Sequence, residues 1–327
     1  MQNTYDLSDI LFHMSFINIS LIVLGLALFE IVSSVDNAVI NAEVLHTMSP
    51  KGRRWFMLWG FLFAVIAVRG LLPWIIVFAA NPSLGFIGSL TATFSSSPAV
   101  AETIAQSSPI LFAGGGIFLL FLFLHWLFLE KKNVGLKGEK FFHAHGVWFY
   151  ACVSVILAVI VWYALKTSAM MAFGAVIGST AFFITHGFKQ NAEKAEEQLL
   201  KGDSVKSDLA KILYLEIIDA TFSIDGVLGA FAFTLSVPLI IIGNGIGAFI
   251  LRELTLKNVD RIKKYKFLKN GAMYAIGMLG IIMMVEAFGH HVPEWLSPLV
   301  MVAVIGFFFW KSKKSIGQAV VEIGGSH

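Results

Sequence analysis

Nine stretches of roughly twenty mostly apolar residues follow one another along the chain. A helix of that length and character has one low-energy surrounding, the hydrocarbon of a bilayer. The stretches cover residues 16–44, 55–80, 110–129, 147–165, 169–188, 210–231, 237–256, 271–288 and 295–310, and polar segments such as Ser49-Pro50-Lys51-Gly52 separate them. Composition agrees: 57% of the 327 residues are hydrophobic and 14% charged, with a mean hydropathy of +0.78, more apolar than a water-soluble domain of this size needs for its core. The expected fold class is all-α, a polytopic transmembrane helix bundle in which residues 1–327 form a single integral membrane domain.

The basic residues fix an expected orientation. Lys51, Arg53 and Arg54 follow the first stretch, whereas the long segment 81–109 after the second has no Lys or Arg. Four lysines follow the third stretch, five lie between Lys189 and Lys211, six Lys and Arg lie between Lys257 and Lys269, and Lys311, Lys313 and Lys314 come after the ninth. Of the 24 Lys and Arg residues, 21 therefore fall on one side, Arg69 and Arg252 lie inside stretches, and Lys166 falls on the other side. This bias is the positive-inside pattern, which places the C-terminus in the cytoplasm and the N-terminus outside a cell (inner) membrane. The first fifteen residues carry no Lys or Arg, so they lack the basic start of a cleaved signal peptide and are expected to be retained.

The chain also repeats itself. Glu30-Ile31-Val32-Ser33-Ser34-Val35-Asp36-Asn37 in the first stretch aligns with Asp219-Ala220-Thr221-Phe222-Ser223-Ile224-Asp225-Gly226 in the sixth. Both place a second carboxylate six residues after the first. In the stretch that follows each, a glycine precedes an arginine by nine residues, Gly60 before Arg69 and Gly243 before Arg252. Five crossings separate the two units, so they face opposite ways. The expected organisation is a first unit with its following helix over 16–130, middle helices and a cytoplasmic loop over 131–209, and a second, inverted unit over 210–311. Inverted repeats of this kind are characteristic of secondary transporters, whose sites lie near mid-membrane where the repeats meet.

Carboxylates inside the bilayer have a cost that only a function sustains. A charged side chain at the centre of a spanning helix costs about 2.5–3.5 kcal/mol even on the lenient insertion scale, and this chain sets Glu30, Asp36, Glu216, Asp219 and Asp225 within its spans. Two carboxylates six residues apart on a regular helix are separated by about 9 Å of rise and point in different directions. Asn37 and Gly226, poor helix residues directly after the inner aspartates, predict local unwinding that would turn oxygens toward one point. Oxygen-rich sites suit Mn²⁺, Ca²⁺ or Mg²⁺. Ser33, Ser223, Asn41 and Asn244 are additional candidates, although small polar residues also bond across helices for packing alone. The alternative reading pairs Asp36 and Asp225 with Arg69 or Arg252 as purely structural, charge-balancing contacts.

Other residues carry less. Cys152 stands alone in the sequence and fits a buried core position. Ala113-Gly114-Gly115-Gly116 reads as a close helix contact. His125 and His186 are lone histidines on apolar helices, expected to hold a satisfied hydrogen bond. Glu286 with His290 and His291 marks an outer vestibule or a solvated loop.

The paired acidic motifs Glu30 to Asn37 and Glu216-Ile217-Ile218-Asp219 through Ser223-Ile224-Asp225 resemble those of the TerC family of integral membrane proteins, named for tellurite resistance, and its uncharacterised-membrane-protein branch. The resemblance extends to Gly60, Ala64 and Arg69, to the glycine-rich start of the third stretch with Phe118-Leu119-Leu120, and to His291-Val292-Pro293. It covers about residues 16 to 309. The resemblance implies a transporter with paired inverted helical units, Mn²⁺ export as its activity, and an ion path formed by Glu30, Asp36, Asn37, Glu216, Asp219 and Asp225. Metal ion and lipid are then the expected partners, with no nucleic acid, no bound cofactor and no enzymatic step. Two further classes compete with it: an intramembrane aspartyl protease using Asp36 and Asp225 as its acid pair, and a membrane partner that hands metal to exported proteins.

Overall fold

A computed structural model describes residues 7–92, 98–131, 134–200 and 207–324. Among these residues there is no strand, and the chain forms a bundle of long helices. They are α1 Leu7–Ser33, α2 Val35–His46, α3 Pro50–Ala80, a short α4 Phe86–Thr91, α5 Pro98–Leu129, a short α6 Lys137–Ala144, α7 Phe149–Thr167, α8 Ala169–Leu200, α9 Asp208–Ala230, α10 Val237–Lys263, α11 Leu268–Ala287 and α12 Leu296–Gly324. Eight of them are long and apolar enough to cross a membrane. The expected sixth crossing is α9. It has 23 residues, but Glu216, Asp219 and Asp225 give it more charged residues than any of those eight spans carries.

Small residues set the helix directions, because glycine lets two backbones meet where any Cβ would collide. A Cβ on Gly178 would fall on the backbone of Gly114, and the rings of His125 and His186 lie 4.0 Å apart, so α5 and α8 run parallel. A Cβ on Gly116 would meet Met284 and one on Gly277 would meet Phe123, so α11 runs antiparallel to α5. The glycine run at 114–116 is thus the close helix contact expected of it. Along α10, Gly243 abuts Leu26 and Gly247 abuts Glu30, which makes α10 parallel to α1. Gly52 abuts Asp208 and Gly60 abuts Glu216, which makes α9 parallel to α3. Gly226 abuts Glu30 and Gly229 abuts Phe29, which sets α9 antiparallel to α1. The first helix of each unit therefore packs in parallel on the second helix of the other, the crossed arrangement that a twofold axis between two inverted units produces. These directions are the ones successive crossings give, with α9 as the sixth.

Several helices depart from the sequence-based expectation. The first stretch is broken at Ser34 rather than unwound at Asn37. Ser34 leaves helical geometry at φ −100° and ψ 4°, while its hydroxyl turns back to donate to Glu30 Oε1 at 2.9 Å. Serine offers its backbone this kind of local alternative to the helical ladder. Gly226 does not unwind α9 either. It lies inside a continuous helix, and its missing side chain makes room for the Glu30 carboxylate, whose Oε2 would lie 3.1 Å from a Cβ there. The fifth stretch, expected to end at residue 188, continues helically to Leu200. Lys189 is accordingly part of a helix and not of a loop.

The helix α3 contains two wide, π-type segments, Phe56–Gly60 and Ala64–Leu71. The second ends just before Pro73, which has no N–H to return to the carbonyl four residues back, that of Arg69, and whose ring crowds that carbonyl. Widening the turn relieves both, and π segments recur at functional sites. Gly60 and Arg69 each sit in one of them.

At one end of the bundle the α2–α3 turn is tied to the start of α9. Asp208 accepts from the Ser49 hydroxyl and backbone N–H, and Lys211 Nζ donates to Thr47 O at 3.1 Å and Thr47 Oγ1 at 3.0 Å. The Ser49 hydroxyl, chiefly, holds the Asp208 carboxyl below its ordinary value, with the Ser49 N–H, Lys211 and Arg53 adding to the effect. A depressed folded value means stability present above the ordinary carboxylate range and lost as pH falls through the depressed value. The thermal midpoint of wild type is therefore expected to exceed that of Asp208→Asn at neutral pH, and the gap to close in acid. A gap that persists in acid would show that the carboxylate's charge is not what ties the turn to α9.

Candidate functional site

Between α2, α3, α9 and α10 lies a cavity of about 70 Å³, room for several water molecules. Its walls carry Glu30, Ser34, Asn41, Arg69, Glu216, Asp219 and Arg252, and Gly60 leaves the space that the Glu216 carboxylate fills. The sequence placed these residues on four separate helices, and the crossed packing brings them together.

Arg69 is the hub. Its side chain is 3% exposed and that of Glu30 1%. Nε and Nη2 donate to Glu30 Oε1 at 2.9 and 2.7 Å, and Nη1 reaches Asp219 Oδ2 at 3.3 Å and the Ala64 carbonyl at 3.4 Å. One guanidinium thus joins the aligned carboxylates of both units, a task for which its planar fork of donors suits it. With Ser34 added, Glu30 Oε1 accepts three hydrogen bonds, while Glu30 Oε2 is buried and has no hydrogen-bond partner among the described residues.

Arg252 does not mirror Arg69. Its Nη2 donates to the Phe56 carbonyl at 2.8 Å, and its guanidinium lies over the rings of Phe56 and Phe61, 4.4 and 5.6 Å from their centroids. It stays within electrostatic range of Asp219 and Glu216. Glu216 has a buried Oε2 without a hydrogen-bond partner among the described residues. It also breaks the repeat, since the position aligned with it in the first unit is Ala27. The cavity wall therefore bears one more acidic than basic side chain.

Asp225 is elsewhere. Its Oδ2 is ion-paired with Lys189 of α8, and it lines a second cavity of about 60 Å³ with Ser33, Val35 and Lys269. The alternative reading, in which Arg69 or Arg252 neutralises Asp225, does not hold, since the ion partner is Lys189. The arginines leave Asp225 to a lysine because Arg69 is already held between Glu30 and Asp219. Asn41 joins the first cavity; Ser223 and Asn244 are buried away from both cavities, each with side-chain polar atoms lacking a hydrogen-bond partner among the described residues. The side chains of Asp36 and Asn37 lie outside the described residues, and with them the expected approach of Asp36 to Asp225. Among the described residues no three His, Cys, Asp or Glu side chains gather as a metal-ligand cluster.

His186 has the hydrogen bond expected of it, its Nε2 lying 3.0 Å from the Gln190 amide nitrogen, but it is not a lone histidine, because its ring lies 4.0 Å from that of His125. His290 and His291 are exposed after the end of α11. Sequence reasoning missed Lys189 and the phenylalanines beneath Arg252. The available signal for Lys189 was its position directly after Phe188, within side-chain reach of the apolar run.

Residues 35–316 match the family model described as "Protein of unknown function (DUF475)". The chain belongs to that family. A 94-residue segment is 29% identical to the uncharacterized membrane protein YceF of Bacillus subtilis (strain 168), covering 29% of this chain and 37% of that protein. The match thus spans little more than a third of the relative's length. No solved structure matches the chain. Helical architecture, eight apolar spans and this relative make the DUF475 chain a multi-pass membrane protein.

Proposed function

We propose that this DUF475 protein exports a divalent metal cation, Mn²⁺ foremost, through the cavity between α2, α3, α9 and α10, as a relative of the TerC proteins its motifs resemble. The observation that carries the reading is the surplus acid there. Glu216 and Glu30 each present a buried carboxylate oxygen without a hydrogen-bond partner among the described residues, in a hollow large enough for an ion with some of its water.

A structural ion pair would use both oxygens, since an unsatisfied buried carboxylate oxygen is costly. Hard oxygen donors favour Mn²⁺, Mg²⁺ and Ca²⁺. A cargo site also differs from a resident metal centre: binding must be strong enough to admit the ion and weak enough to release it. The resemblance also names Asp36, whose side chain lies outside the described residues, and in this reading the protein performs no bond-making chemistry on its cargo.

Reconstituted into liposomes, the purified protein is expected to carry Mn²⁺ faster than Mg²⁺ or Ca²⁺, and absence of flux for all three would refute the reading. The loop charges give the orientation of the chain in the membrane. A reporter fused after Ser97 is expected to read as extracytoplasmic, and fusions after Gly202 or at the C-terminus as cytoplasmic; the opposite pattern would invert that orientation.

A further inference from the structure

A second, smaller apolar core adjoins one end of the acidic cavity. Leu45 and Phe56 line the cavity, and with Val44, Met48, Ile212 and Leu215 they form a cluster, each at most 4% exposed, that is separate from the core of the rest of the bundle. Along α2 the order is Asn41, Leu45, Met48; back along α3 it is Arg69, Gly60, Phe56; back along α9 it is Asp219, Glu216, Leu215, Ile212. In all three helices the polar cavity residues thus give way to the apolar cluster in the direction of the α2–α3 turn. Lys51, Arg53 and Arg54 follow that turn, and the loop charges assign this end to the cytoplasm. The cluster therefore stands between the cavity and the cytoplasmic end, and beyond it Asp208 and Lys211 hold Ser49 and Thr47.

Two breaks in the backbone flank this part of the chain. Ser34 interrupts the helix between α1 and α2, and α3 widens at Phe56–Gly60. Between the breaks lies a hairpin over 35–55, whereas Phe56 itself is held from α10 by Arg252. Irregular turns at the two ends of a rigid element are where a hinge motion is absorbed.

We propose that the hairpin over 35–55 is the cytoplasmic gate of the cavity, swinging about Ser34 and the Phe56–Gly60 segment so that Leu45 and Met48 part from Leu215 and Ile212. The inference rests on the reading of this cavity as the ion path. While shut, the apolar cluster offers a hydrated dication nothing in exchange for its water. Once it opens, the carboxylates of Glu30 and Glu216 meet the compartment from which an exported ion comes. The ties that latch the hairpin to α9 lie at the exposed end of the bundle, where water replaces a lost ionic contact at little cost. The fold thus puts its strong buried ion pairs beside the cavity and its weak ones on the moving part.

The test uses the full-length protein carrying Cys152→Ser, which removes its single native cysteine. Ala42→Cys places a thiol in the cavity wall, and a membrane-impermeant maleimide supplied at the cytoplasmic side, followed by peptide mass analysis, reads exposure of residue 42. Gly52→Cys together with Asp208→Cys supplies a lock, because a Cβ on Gly52 would lie 3.0 Å from that of Asp208, a small shift from the roughly 3.5–4.5 Å that a disulfide spans. The reduced protein is expected to label at residue 42 and to carry Mn²⁺ in liposomes, the oxidised protein to lose both, and renewed reduction to restore both. Leu215→Ala, which thins the cluster without touching the cavity wall, is expected to label at residue 42 several-fold faster below its melting temperature. A merely structural leucine would lower that temperature and leave the labelling rate unchanged. Absence of labelling in the reduced protein, labelling or flux that survives oxidation, or an unchanged rate in Leu215→Ala overturns the gate. Labelling that follows the lock in a protein that moves no Mn²⁺ in any state overturns the transport reading and leaves the gate standing.

Discussion

Replacing Arg69 by glutamine is expected to cost about 3–5 kcal/mol of stability, the range for breaking a buried ion pair by removing one partner. The guanidinium serves two carboxylates on different helices, Glu30 of α1 and Asp219 of α9. Its loss removes the hydrogen-bonded cation from Glu30 and from Asp219, and a glutamine amide has too few donors and no charge to replace it. Arg252→Gln makes the internal control. That arginine gives up a bond to a backbone carbonyl and contacts with two phenylalanine rings, worth about 1–2 kcal/mol together. Thermal unfolding of both variants in detergent separates them. Equal losses would mean that Arg69 is not the hub that joins the two units.

That asymmetry also shows how much of the molecule was legible in the sequence. The apolar runs and the loop charges specified the helices and their alternation, because the cost of an unsatisfied backbone in hydrocarbon leaves little else for such a segment to form. The aligned motifs singled out Glu30, Asp219 and Arg69 as separate candidates and offered Asp36 and Asp225 as the arginines' partners, whereas Arg69 joins Glu30 and Asp219. The repeat could not reveal that Arg252 turns to Phe56, since a twofold sequence relation constrains backbones more tightly than the partners of long side chains. It also said nothing of Lys189, which a loop count assigned to water and which instead reaches into the bundle. Glycines misled in an instructive way. Gly226 reads as a helix breaker from propensity alone, but a membrane helix keeps its backbone bonds and uses glycine for close approach, here to the Glu30 carboxylate. The π segments of α3 were likewise invisible, although Pro73 marks the place where one is needed.

The largest functional effect is expected at Glu216. Gly60 accommodates its carboxylate, its Oε2 is buried without a hydrogen-bond partner among the described residues, and the aligned position in the first unit is Ala27. The fold of an inverted unit therefore does not require an acid there. Glu216→Gln keeps the shape and an acceptor oxygen, and removes one charge from the cavity wall. Removing a buried charge that has no dedicated partner tends to leave stability unchanged or improved, whereas attraction for a dication falls with each negative ligand lost.

The most direct measurement of the whole account is Mn²⁺ flux per folded molecule in liposomes for wild type and Glu216→Gln, with melting temperatures taken on the same preparations. The expected result is a variant that melts at or above the wild-type temperature and carries Mn²⁺ at least about tenfold more slowly. Undiminished flux per folded molecule in Glu216→Gln would contradict the account, because the cavity between the two units would then not be the path of the ion.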